Sequence, residues 1–149
     1  MAIPDATLID AIGKALGPIE AVRLAYLFGS RARGTARPDS DLDLAVAYPR
    51  ESDSEQRERT RRAVVAAVTD ALGSLGEHTD VVDIDHAPSE IGFAAIHGIR
   101  VLARSEEERV RHEVRVARRY DDEAPRRELF RAAAKRVAAE MAQRSDGRS

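Results

Sequence analysis

The chain contains no cysteine, which closes disulfide, zinc–thiolate and thiol-nucleophile chemistry. No apolar run approaches the roughly 18 residues that a membrane span needs, and the N-terminal stretch lacks the basic and apolar regions of a secretory signal. A soluble, cytoplasmic protein with no membrane association is therefore expected. A basic surplus is missing too: 24 lysines and arginines stand against 26 acids, for a formal net charge of −2. General nucleic-acid binders show a basic balance, so no direct nucleic-acid binding is expected, and any affinity for phosphate must be local. Internal repeats and low-complexity tracts are absent. Of the four histidines, His97 beside Gly98 has no second histidine at metal-binding spacing and reads as a turn residue.

What is present is enough for one domain with a real core: 149 residues, 43% of them hydrophobic,. The stretch Leu24 to Val46, LAYLFGSRARGTARPDSDLDLAV, organises the rest. Ala25-Tyr26-Leu27-Phe28 is a short apolar run bounded by Gly29, the signature of a buried strand that delivers a turn at its C-terminal end. Gly29 lets the backbone turn sharply and approach an anion. Ser30 sits where the segment Arg31 to Gly34 begins a short helix with free N–H groups. Ten residues after the Gly29-Ser30 pair, Asp41-Leu42-Asp43 opens a second apolar run. Strand alternation puts Asp41 and Asp43 on one face and Leu42 and Leu44 on the other.

Two carboxylates on one face repel, by about 4 kcal/mol at 4 Å and an effective dielectric of 20. That cost calls for a cation. An all-oxygen set without cysteine or histidine favours a hard ion, and Mg²⁺ completes its octahedron with water and substrate phosphates, such as those of a nucleoside triphosphate. Arg31, Arg33 and Arg37 lie in the connection, where a guanidinium fork reaches triphosphate oxygens.

The Gly-Ser pair followed after ten residues by Asp-x-Asp resembles the signature of the DNA polymerase β-like nucleotidyltransferases. The fuller string FGSRARG…SDLDLAV is similar to the minimal nucleotidyltransferases, the MntA-like antitoxins paired with HEPN toxins. The resemblance implies a polymerase β-like fold of class α/β (α+β), with a small mixed sheet and packed helices. It also implies that Asp41 and Asp43 are catalytic metal ligands, that Gly29, Ser30 and Arg33 bind the nucleotide, and that a third carboxylate on a neighbouring strand completes the site. Asp80, at the entrance to Thr79-Asp80-Val81-Val82-Asp83-Ile84-Asp85, resembles that residue, which in the family positions the second metal or takes the proton of the attacking hydroxyl. Asp83 is the runner-up. Alternation places the two on opposite faces, so the sequence leaves open which one meets the Asp41/Asp43 pair.

Elsewhere, Asp5 to Leu16 reads as a first helix capped by Asp5 or Thr7 and stopped by Gly17-Pro18. After the polar run ESDSEQRERTRR, the residues Val64, Ala67, Val68, Ala71, Leu72 and Leu75 form an apolar helical stripe ended by Gly73 and Gly76. Pro88 to Ile96 suggests a short helix, and Gly98 to Leu102 a final strand. Residues 1–104 form the expected core, and 105–149 a C-terminal helical extension of the same domain, frayed from Gln143 onward. Ser105 caps the extension ahead of Glu106, Glu107 and Glu108, and Val110, Val114 and Ala117 form a narrow stripe beneath arginines. Pro125 restarts the helix, and Phe130, Ala134, Val137 and Met141 fall at steps of four, three and four, as on the seam of a helix pair. Residues 100–149 hold 14 basic side chains against 10 acidic ones, so the acid excess belongs to the catalytic half.

From the resemblance follows the expected function: transfer of AMP from ATP, with two Mg²⁺ ions, to a tyrosine of a partner HEPN ribonuclease, which silences it, in a hetero-oligomer with the toxin dimer. HEPN nucleases carry Arg-x4-6-His, and none of the four histidines has an arginine at that upstream distance, so the chain is not itself such a nuclease. Two alternatives stand beside this reading. One is transfer to a small hydroxylated acceptor of aminoglycoside type, and the other is an antitoxin that acts by binding alone through its arginine-rich helices.

Overall fold

In the computed structural model, residues 6–147 are described. A helix α1 (Ala6–Leu16) leads into strand β1 (Leu24–Phe28), a single-turn helix α2 (Ser30–Arg33) and strand β2 (Leu42–Ala47). A long helix α3 (Ser54–Leu72) and a 3-10 segment (Gly73–His78) cross over to β3 (Thr79–Asp83). Helix α4 (Ser89–Ile96), strand β4 (Ile99–Ala103) and helices α5 (Glu106–Asp122) and α6 (Ala124–Asp146) complete the chain. The four strands lie in the order β3-β2-β1-β4, with β2 and β3 parallel and β1 antiparallel to both β2 and β4. The architecture is the mixed α/β sheet with packed helices that the sequence implied.

Alternation along the strands builds two cores. Ala25, Leu27, Leu42, Leu44, Val46 and Val81 meet Ile12 and Leu16 of α1 and Val64 and Val68 of α3. Leu24, Tyr26, Ala45 and Ala47 point the other way, onto Ala95 of α4 and Val116 of α5. Leu42 and Leu44 are fully buried, each stabilising the fold by about 1.5–3 kcal/mol. They anchor the strand whose alternate positions carry Asp41 and Asp43.

Helix ends follow their local chemistry. Asp53 and Gln56 form a reciprocal capping box at the start of α3, with 2.8 and 2.9 Å bonds,. At α5 the Ser105 hydroxyl accepts from the Glu108 N–H at 3.1 Å. Of the two caps expected for α1, Asp5 lies outside the described residues, and Thr7 falls inside the helix. The connection from α1 to β1 is held by Arg104, which donates to the carbonyls of Gly17, Ile19 and Val22 at 2.8–3.0 Å.

The last two helices leave their apolar stripes largely facing solvent. On α5 the buried residues are His112 and Val116, whereas Val110 and Val114 face solvent. Polar contacts select this face. Glu108 accepts both fork bonds of Arg23 at 2.9 and 2.8 Å, Glu113 accepts from the Tyr26 hydroxyl at 2.7 Å, and His112 meets Asp85 at 2.9 Å. α6 buries none of its residues, and its helix continues past Gln143 to Asp146, where fraying was expected.

Candidate active site

The site begins with a glycine whose backbone conformation and close neighbour both disfavour a side chain. Gly29 ends β1 with φ of +74°, a conformation that side-chain-bearing residues avoid,. A Cβ built there would lie 2.2 Å from Oδ2 of Asp43. The backbone corner and the carboxylate are therefore packed directly against one another. Ser30 opens α2, its carbonyl accepts from the Thr35 N–H at 3.0 Å, and among the described residues its hydroxyl has no hydrogen-bond partner.

The neighbouring strand brings in a third carboxylate. β2 and β3 run parallel with Asp43 opposite Asp80 and Val46 opposite Asp83, and paired residues of adjacent strands share a face. Asp80 therefore stands beside Asp43 on the face of Ala45 and Ala47. Asp83 points to the opposite face, where Arg57 of α3 holds its carboxylate at 3.3 Å and His86 lies 2.9 Å away. Of the two aspartates that the sequence left open, the geometry joins Asp80 to the pair and engages Asp83 elsewhere.

Electrostatics make the gathering costly. Burial, then the charges of Asp80 and Asp41, push the Asp43 carboxyl above its ordinary range, and only Arg33 works in the other direction,. Arg33 is exposed, and its charge acts on Asp43. Arg31 serves the loop instead, donating to the Ser40 carbonyl at 2.6 Å. Arg37 takes part through its backbone, whose N–H donates to the Ser40 hydroxyl at 2.7 Å. Of the three arginines in the connection, Arg33 is the one whose charge offsets the repulsion at Asp43.

The donor set is all oxygen and carries uncompensated negative charge, which fits a hard divalent ion such as Mg²⁺ in kind. The residues that would hold it are Asp41, Asp43 and Asp80. Among the described residues, no three acidic or histidine side chains are drawn together tightly enough to close a metal shell as they stand. Asp41 and Asp80 are exposed, so the carboxylates occupy an open shelf. The larger clefts lie away from it. One of about 750 Å³ sits at the opposite end of β2, between Arg23, Tyr48, Arg50, Glu108 and Arg115.

A family model described as "Polymerase beta, Nucleotidyltransferase" matches residues 11–108, about two thirds of the chain. The chain belongs to this nucleotidyltransferase family. No curated protein matches. Among solved structures, the polymerase β-type chain is similar to a toxin–antitoxin crystallised with AMP-PNP, with a TM-score of 0.65 and 23% identity over 84% of this chain and 97% of that one. It is also similar to the MntA–HepT toxin–antitoxin, with a TM-score of 0.59 and 20% identity over 87% and 98%. A third neighbour is the tri-AMPylated Shewanella oneidensis HEPN toxin in complex with MNT antitoxin, at 0.59 and 20% over 85% and 96%. At these identities the likeness establishes the fold.

Sequence reading did not find the buried His112–Asp85 contact. The partners are 27 positions apart on an α5 helix and a turn after β3, and neither sits in a motif. The Nδ1 of His112 is buried without a partner. Burial pushes the Asp85 carboxyl up, but the hydrogen bond and charge of His112, with Arg115 and His86, carry it below its usual range.

Proposed function

We propose that this protein is a metal-dependent nucleotidyltransferase that moves AMP from ATP to a tyrosine of a HEPN ribonuclease partner and so inactivates it. The observation that carries the reading is the parallel register of β2 and β3, which sets Asp80 beside Asp43 under the Gly29 corner. Family membership supplies the reaction class. The choice of ATP and of a HEPN acceptor is supported by neighbours solved with AMP-PNP and with a tri-AMPylated HEPN toxin.

When bound, a pair of divalent ions neutralises charge on the triphosphate and on the entering and departing oxygens. Asp41, Asp43 and Asp80 would hold the ions, on strands fixed by Leu42, Leu44 and Val81. Gly29 lets the Asp43 carboxylate pack against the backbone corner, and the Ser30 hydroxyl and the first N–H groups of α2 are free to donate to phosphate oxygens. Arg33 adds a donor fork on the same side. The tyrosine oxygen of the acceptor attacks the α-phosphorus, the bond to the bridging oxygen breaks and pyrophosphate leaves, while Asp80 would either position the second ion or take the phenolic proton.

The test is labelling of the co-expressed partner by α-labelled ATP. Replacing Asp41 and Asp43 with asparagine should lower labelling by at least 10³-fold, in line with the loss of groups that position and stabilise the transition state. Undiminished labelling would refute the metal-site assignment. A double variant that fails to label yet still fully neutralises the ribonuclease in cells would support inhibition by binding alone, a reading that the unburied α6 favours.

A further inference from the structure

Every large hydrophobic side chain that stands exposed among the described residues lies on α5 or α6: Val110, Val114, Leu129, Phe130, Val137 and Met141. α6 is the extreme case. It runs for 23 residues, about 34 Å at 1.5 Å per residue, and buries none of them. Phe130 and Met141 are 76% and 64% exposed. Alanine-rich composition keeps such a helix formed without packing, but does not account for an apolar stripe in water. Soluble proteins tolerate scattered apolar residues, whereas a contiguous patch marks an interaction surface.

The edges of the stripe indicate what covers it. At 3.6 residues per turn, Phe130, Ala134, Val137 and Met141 share one line along the helix. Arg126, Arg144 and, further out, Glu140 flank that line on one side, and Arg127 and Arg131 on the other. Counted over the whole helix, Arg126, Arg127, Arg131, Lys135, Arg136 and Arg144 outnumber Glu128, Glu140 and Asp146. A second copy of α6 laid on this face would set arginine rows against arginine rows, and like charges in register are destabilising. At the base of the helix the stripe runs into a cleft of about 660 Å³, where Phe130 and Arg131 face Pro88 and Glu90 of the α4 end. There Arg127 is already committed, its guanidinium stacked 3.5 Å over the Tyr120 ring.

We propose that α6 and this cleft form the docking face for a protein partner that presents an amphipathic helix, apolar along its seam and edged by carboxylates. The inference rests on the reading that the chain acts on a protein, and it locates the contact away from the nucleotide site. Leucine-type side chains from the partner fill the line from Phe130 to Met141, and glutamates or aspartates at its edges meet Arg126, Arg131 and Arg144.

The experiment compares wild-type protein with Phe130→Glu/Val137→Glu and with Arg126→Glu/Arg131→Glu, all at half-exposed or exposed positions, with unchanged melting temperature as the check on folding. Affinity is measured for the co-expressed HEPN ribonuclease, and for two synthetic helical peptides with a leucine seam, one edged by glutamate and one by lysine. Expected is at least tenfold weaker ribonuclease binding by both variants, and binding of the glutamate-edged peptide only, lost in the Phe130/Val137 variant. Unchanged ribonuclease binding by the variants, in a protein that still labels it, overturns the docking face and leaves the transferase reading intact. Wild type that neither labels nor binds the ribonuclease but binds the glutamate-edged peptide contradicts the toxin reading and sustains this one. Failure to bind either probe overturns the docking face, as does a wild-type dimer in sedimentation that Phe130→Glu/Val137→Glu dissolves.

Discussion

Asp43 gathers the contacts of the proposed site in one side chain. It is half-buried, it touches the Gly29 corner, and it faces both Asp41 and Asp80. The folded protein holds a proton on Asp43 to higher pH than the unfolded chain does. Stability is therefore lost as pH rises above the ordinary aspartate range, because the native state binds more protons there. Without divalent cation, Asp43→Asn should raise the melting temperature at neutral pH, and the gain should shrink as pH is lowered through the range in which unfolded aspartate protonates. Added Mg²⁺ should stabilise wild type and leave the variant nearly unmoved. Thermal melts across pH, with and without the ion, check both. A destabilised Asp43→Asn protein at neutral pH would contradict the repulsion that the site is built on.

At the scale of elements, α5 is held to the sheet mainly by polar latches. The His112–Asp85 contact is the most enclosed of them, with the His112 side chain 4% exposed. His112→Ala leaves the Asp85 carboxylate partly buried without its partner, and such losses cost about 1–3 kcal/mol. Because Asp85 is held below its usual range, the stability it contributes is present above the unfolded aspartate pKa and lost as pH falls through the folded value. The variant should therefore be less stable at neutral pH in urea unfolding, and the difference should narrow towards acid.

The same latches explain what could be read from sequence. β1, β2 and the Gly29-Ser30 turn were legible because apolar run, glycine and alternating aspartates agree locally. The choice between Asp80 and Asp83 was not, since it depends on how β3 registers against β2 after a long crossover. The face that α5 buries was not legible for a related reason. Val110 and Val114 carry the helical period, yet partners 85 and 87 positions away, Arg23 for Glu108 and Tyr26 for Glu113, turn the helix the other way.

Across the whole molecule, the two proposed surfaces lie on different elements. The carboxylate shelf lies where β2 and β3 begin, and the unpartnered apolar face lies on the C-terminal helix. Among the described residues no helix is long and apolar enough to cross a membrane. The core is net acidic and the C-terminal extension net basic. Titration of isotope-labelled protein with Mn²⁺, in the presence of a non-hydrolysable ATP analogue, tests the shelf most directly, by paramagnetic loss of backbone amide signals. The signals of Gly29, Ser30, Asp41, Asp43 and Asp80 should vanish first, and Asp41→Asn/Asp43→Asn should abolish the effect. Loss centred on Asp83 and Asp85 at the far end of the strand, or no localised loss at all, would contradict it.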